Sequence, residues 1–283
     1  MEATTKKVRV KLMSPNVLYC TVRETIRGRW KRCTFYTLGW PDILAVTESP
    51  FQTDDPVYAA FVKETRVVAL FSTSLEHLET LLLMPGLFNW RKRIVFADVP
   101  QKLRPVILSV SKAKGGTLGF NEFKVLEAKP GEVTAQPVPE NYKMRALDPE
   151  THTDYAVSTR PYYIKGARCY VRDLLKKFPS IGVFDKDDIC IGFEIIYHYG
   201  TQGMLHVREE FRGQGIGTSI ATNLAQKFFS DGLPVYTVVE KSNSSSIHLH
   251  LKVGFRIVAD VDYLRYHYAG VKTELSENTV CPE

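Results

Sequence analysis

Cysteine is sparse in this chain of 283 residues: Cys20, Cys33, Cys169, Cys190 and Cys281, widely spread and without a Cys-x-x-Cys pair. That excludes a zinc ribbon or a dithiol redox motif. An odd, scattered set reads as free thiols in a reducing compartment. No apolar run approaches the ~20 residues needed to span a bilayer, so no membrane partner is expected. Charge of one sign is also scarce. The 37 Lys and Arg against 31 Asp and Glu leave +6, which suits an anionic ligand but is too little to argue for nucleic acid. The basic clusters at 27–32 and 91–93 therefore read as solvated surface. Two phosphate-binding patterns are missing as well. There is no Gly-Lys-Ser/Thr Walker loop, and no G-x-G-x-x-G dinucleotide fingerprint.

What is present is a chain able to bury sizeable cores, with 44% hydrophobic and 11% aromatic residues. Pro130, Gly131, Pro137 and Pro139 punctuate residues 128–141 without apolar period, the best linker candidate. It divides the chain into residues 1–135 and 141–283, each of ordinary domain size. The first part reads as mixed. Strands are expected at 8–12, 43–46, 57–62, 94–96 and 118–126. A helix capped by Ser74 places Leu75, Leu78, Leu81 and Leu82 on one face, and a second helix is expected to begin at Asp98 and Pro100 and to kink at Pro105. The second part reads β-α-α-β-β-β-α-β-α-β-β. Its helices fall near Tyr155 and Tyr162 and at 166–178, 216–229 and 244–252. Its strands fall at 142–147, 180–185, 189–199, 204–207, 235–239, 255–259 and 263–268, and Asp185-Lys186-Asp187-Asp188 makes a hairpin turn. The class is α+β, a mixed α/β sheet.

Arg212-Gly213-Gln214-Gly215-Ile216-Gly217 stands between a strand-like run and an apolar helical run. A glycine-rich turn entering a helix offers unpaired N–H groups and the positive end of the helix dipole, which is a site for a pyrophosphate. The Arg-x-x-Gly-x-Gly spacing is that of coenzyme A binders. Downstream come a β-branched strand, Asn243, a short helix and the pair Gly254-Phe255.

These elements, in this order, resemble the GNAT superfamily of acyl-CoA-dependent N-acyltransferases. A finer resemblance is to the glycine N-acyltransferase family and its relatives. In the first half it rests on Leu38-Gly39-Trp40-Pro41-Asp42, Asp54-Asp55 and Phe88-Asn89-Trp90. In the second it rests on Tyr170-Val171-Arg172 through Phe178-Pro179, Glu209-Glu210-Phe211-Arg212, Leu233-Pro234-Val235-Tyr236 and Ser242-Asn243. The resemblance implies a GNAT acyltransferase fold in residues 141–283, preceded by a smaller mixed α/β domain that is itself a candidate for the same fold. It implies acyl-CoA as co-substrate, a small amine acceptor such as glycine, no metal and a monomer. It implies a mitochondrial location, whereas the N-terminal residues, which read as a first strand, suggest a cytoplasmic one.

Cofactor contacts are expected from the main chain of Val207, Gly213, Gly215, Ile216, Gly217 and Thr218, with Arg212 assisting and Asn243 nearby. Val207 N–H is also the candidate oxyanion donor. His250 lies where many GNAT proteins place a Tyr that protonates the thiolate, and is the candidate acid. His248 and His250, two residues apart, do not share a helix face, which argues against a metal pair. The family places its general base at a Glu before the glycine-rich turn, but this chain has Thr201 and Gln202 there. Glu194, His206 and Glu240 are the substitutes in reach, and a non-catalytic acyl-CoA-binding module stays open.

Overall fold

The computed structural model describes residues 24–25, 27–28, 33–38, 43–48, 65–160, 167–230 and 234–270. The strands expected at 8–12 and 57–62, Tyr162, Trp40-Pro41-Asp42 and Asp54-Asp55 lie outside them. The chain runs β1 Cys33–Leu38, β2 Ile43–Glu48, β3 Thr65–Ser72, α1 Leu75–Leu83, β4 Arg93–Pro100, α2 Arg104–Ala113 and β5 Gly116–Ala128. After a stretch without strand or helix it continues β6 Lys143–Arg145, α3 Thr153–Ser158, α4 Ala167–Lys177, β7 Ser180–Phe184 and β8 Cys190–Ile196. Then come β9 Gln202–Val207, α5 Ile216–Phe229, β10 Val235–Glu240, α6 Ser244–Lys252 and β11 Arg256–Tyr268.

The eleven strands among the described residues form one sheet in the order β1-β2-β3-β4-β11-β5-β10-β9-β8-β7-β6. The order exposes a repeat. β3-α1-β4-α2-β5 and β9-α5-β10-α6-β11 are the same sequence of elements, and each begins with a parallel strand pair. Their final strands have changed places. β11 inserts between β4 and β5, while β5 inserts between β11 and β10. The two halves therefore interleave in the centre of the sheet, along the long antiparallel β5–β11 ladder from Arg256↔Glu127 to Tyr268↔Gly116.

Local chemistry explains most elements. Ser74 caps α1 by accepting from His77 N–H, and Leu78, Leu81 and Leu82 are buried. α4 buries Val171, Leu174 and Leu175 and ends on Lys176 and Lys177, as the dipole favours. Asp185 Oδ1 accepts from the N–H groups of Asp187 and Ile189, closing the β7–β8 turn.

Three expectations are corrected. Asp98 and Pro100 do not start a helix: β4 runs through both, and α2 begins only at Arg104. Pro105 sits in the first turn of α2, where its missing N–H costs nothing, so it does not kink the helix. The two strands expected at 255–259 and 263–268 are one, β11, with a register shift between Ile257 and Ala259 where Val258 is an extra residue. β1 and β3 were not anticipated.

Two bulges interrupt the ladders beside the strand junctions. In β9, Met204 and Leu205 together oppose Glu194 of β8, and Met204 takes φ +55°. In β4, Ala97 and Asp98 together oppose Tyr263 of β11, and Asp98 takes φ +51°. Non-glycine residues at positive φ are uncommon, and Asn and Asp tolerate it best.

Candidate functional site

The parallel pairs of the two repeats differ. β3 and β4 stay together from Thr65↔Arg93 to Ala69↔Ala97. β9 and β10 meet only at Thr237↔Gln202 and then part, leaving an open fork along residues 203–207. Arg208 N–H donates to Ile191 O on β8, at 2.8 Å. Since Val207 lies opposite Gly192, antiparallel alternation turns the Val207 N–H and C=O away from β8, into the fork. Arg212 Nε donates to Val207 O at 3.0 Å. That leaves the Val207 N–H as the donor facing the fork.

The helix starts differ in the same way. In the first repeat the α1 N-terminus is closed by its own Ser74 side chain. In the second, Gly215 occupies the cap position of α5 at φ +83° with no side-chain cap. The N–H groups of Ile216, Gly217 and Thr218 are left without a capping partner. Gly213 takes φ +78°, and a Cβ at Gly213 or Gly215 would meet nothing within 4 Å. The glycines thus serve the backbone's left-handed turn and keep the space before the helix clear. Tyr142 holds this turn from outside: its hydroxyl donates to Gln214 Oε1 at 2.9 Å and its ring meets Phe211 edge-on. An uncapped helix N-terminus, with Arg212 beside it, fits a diphosphate.

Asn243 has structural employment. Its Oδ1 accepts from Ser246 N–H and Ser245 Oγ at 3.1 Å each, which caps α6. His250 is buried on α6 against Phe255. Its Nδ1 lies 2.8 Å from Ser246 O. A carbonyl cannot donate, so Nδ1 carries the proton and Nε2 presents a lone pair, with no partner among the described residues. Burial lowers the His250 pKa, outweighing the Ser246 hydrogen bond. At neutral pH His250 is an acceptor, not an acid.

Glu194 is fully buried, and both its carboxyl oxygens lack a partner among the described residues. Its β8 face also carries Ile196, which lies opposite Gln202, and Gln202 Nε2 donates to Ala221 O of α5. Desolvation holds the Glu194 carboxyl well above its ordinary range. His206 stands on the opposite face, half-buried against Phe193 and Tyr155. Burial first, then Arg212 and Arg208, lower its pKa, so it is a neutral imidazole. Glu240 Oε1 accepts from Asn121 Nδ2 at the far end of β10. Glu194, His206 and Val207 lie on neighbouring strands beside the fork, the cradle stands at its end, and Glu240 does not join them.

Sequence reasoning missed a second group. Asp98, Tyr197, Tyr199 and Arg160 come from separate stretches, and electrostatic interactions link them. The one visible signal was a lone carboxylate within the apolar run of β4. Among the described residues no group of His, Cys, Asp and Glu is arranged to hold a metal, and no helix is long and apolar enough to cross a membrane. Burial pushes the Cys190 thiol up to about 11, which makes it unreactive.

Residues 180–264 match the family model described as FR47-like protein. No curated protein matches the sequence significantly. Among solved structures, a Drosophila protein is similar at a TM-score of 0.74 and 15% identity, over 88% of each chain. A GCN5-related N-acetyltransferase from Kribbella flavida is similar at 0.57 and 10% identity, over 91% of this chain and 97% of its own. A tandem GNAT protein from the clavulanic acid biosynthesis pathway is similar at 0.51 and 14% identity, over 89% and 88%. With the forked strand pair and the open helix start, these likenesses establish that the chain has the GNAT fold, residues 180–264 matching the FR47-like model.

Proposed function

We propose that this protein is an acyl-CoA-dependent N-acyltransferase that moves an acyl group from a coenzyme A thioester to the amine of glycine or a similarly small amino acid. The observation that carries the reading is the contrast between the repeats. The first helix start is capped and its strand pair closed, while the second is uncapped and its pair forked. Main-chain N–H groups at 213 and 215–218 would hold the diphosphate, with Arg212 adding charge. The unpaired edge of β9 would accept the pantetheine arm as an extra strand, and Val207 N–H would steady the oxyanion of acyl transfer.

Glycine as acceptor draws its support from the sequence resemblance. Thr201 and Gln202, where that family carries its Glu, favour a second reading in which the acceptor is another amine, such as a polyamine or a protein lysine. A third reading is a binder without turnover.

Calorimetry with coenzyme A tests the cradle, and thiol release with acetyl- and benzoyl-CoA over an amine panel, with products identified by mass, tests the transfer. Heat with coenzyme A and an acylated glycine are expected. Heat without any acylated amine would leave a binding module, and no heat with any thioester would end the assignment.

A further inference from the structure

Asp98 belongs to the first half of the chain, yet its surroundings belong to the second. It is buried, 3% exposed, and its Oδ2 has no hydrogen-bond partner among the described residues. It sits in the β4 bulge at φ +51°, opposite Tyr263. Its charge acts on the hydroxyls of both Tyr197 and Tyr199, and Tyr199 also senses Tyr263 and Tyr170. The rings of Tyr197 and Tyr199 stack with centroids 5.3 Å apart. His198 packs edge-on against Tyr199, and its Nδ1 lies 2.8 Å from the Tyr170 hydroxyl. The cluster is tied to the fork: a Cβ on Gly203 would fall 2.1 Å from Tyr197 Cε2, and Gly203 is the first β9 residue beyond the last rung to β10. Burial raises the Tyr197 pKa most; Arg160 opposes it, and Asp98 and Glu194 add to it.

A carboxylate kept only for structure is normally buried with its partners. An unpartnered one, held in a bulge among tyrosines where strands part, has the chemistry to receive an ammonium group. We propose that Asp98 binds the acceptor's amine and takes its proton. Asp98 plays this part only if the chain is the acyltransferase proposed above. The ammonium gives one proton to the Asp98 carboxylate, and the neutral amine forms the new N–C bond as the C–S bond breaks. The nitrogen's second proton ends on the departing thiolate, and Asp98 returns its own to solvent.

Burial holds the Asp98 carboxyl at about 7, so it exchanges protons near neutrality. The titratable groups coupled to it are Tyr197 and Tyr199, and Tyr263 stands opposite it across the bulge. The tyrosine hydroxyls whose shifts are resolved, Tyr197 and Tyr199, are raised and stay protonated, so the acid limb belongs to Asp98.

The experiment uses the full chain with acetyl-CoA and glycine. In Asp98→Asn, whose side chain tolerates the positive φ, coenzyme A affinity should stay within about twofold. The glycine kcat/KM should fall on the order of 100-fold, and the wild-type loss of rate below about pH 7 should disappear. Asp98→Gly accepts the same backbone, and added formate should restore part of its rate, which a structural role would not allow. Unaltered rate and pH profile in both Asp98 variants would overturn the proposal. Wild-type protein that binds coenzyme A but acylates no glycine would overturn the amine assignment alone, whereas absence of any coenzyme A heat would remove the acyltransferase reading with it.

Discussion

At the scale of single residues, burial reverses the expected roles of Glu194 and His250. Charge chemistry in water makes a Glu a base and a His an acid near neutrality. Desolvation penalises the charged form of each. Burial thereby favours the protonated Glu194 carboxyl and the neutral His250 imidazole. His250→Phe keeps the edge-on contact with Phe255 and removes a buried nitrogen without a partner. We expect an unchanged or slightly raised Tm and turnover within about threefold of wild type. A tenfold fall in kcat would instead make His250 a proton carrier. Asp98 shows the stability cost of such burial. Its carboxyl is raised from 3.8 to about 7, so the folded state binds the proton more tightly than the unfolded one. That stability is fully present below about pH 4 and is lost as pH rises through about 7. About three pKa units correspond to roughly 4 kcal/mol. Asp98→Asn should therefore raise denaturant stability by up to that amount at about pH 8 and change it little near pH 4. Equal effects at both values would contradict the raised carboxyl.

Among the elements, α1 and α5 are two copies of one motif with opposite helix starts. Ser74 spends its hydroxyl on α1, and Gly215 leaves α5 open. Gly215→Val puts a β-branched side chain at φ +83°, which costs on the order of 1–2 kcal/mol and fills the space before the helix. Coenzyme A affinity should fall by at least about 100-fold while the protein stays folded by circular dichroism. Wild-type affinity in that variant would contradict the cradle. Much of this level was legible. The α5 and α6 boundaries come from apolar period and from turn residues, which are local signals. The Asp98–Pro100 helix start was misread because the same residues, acid then proline, also end a strand. Only the Val99↔Asp262 pairing decides between them.

For the whole molecule, the exchange of β5 and β11 joins the halves, and Arg104 secures it. Its guanidinium forks onto Asp262, with Nε–Oδ2 at 2.5 Å and Nη2–Oδ1 at 2.7 Å, and reaches Glu122 at 3.0 Å. The Asp262 side chain is 0% exposed, so Arg104→Met leaves a buried carboxylate without its charge partner, held among the described residues only by Gln101 Nε2 at 3.3 Å. The expected loss is about 3–5 kcal/mol by urea titration. Tyr266, from β11, packs edge-on against Trp90 at 5.0 Å in the core of the first half. Residues 141–283 expressed alone lack β5 between β10 and β11 and should be insoluble, and the full chain should melt in one transition. A soluble, cooperatively folded fragment would show that the halves are independent.

The sequence by itself determined the glycine-rich turn, the helix faces and the β-α-β order around them. Each depends on residues a few positions apart, where backbone sterics and periodicity act directly. Only the tertiary structure decided the strand exchange, the burial of Glu194 and His250, and the electrostatic coupling of Asp98 to Tyr197 and Tyr199. Those depend on which distant segments exclude water from a group, and solvent exclusion is a property of the packed sheet rather than of any stretch of chain.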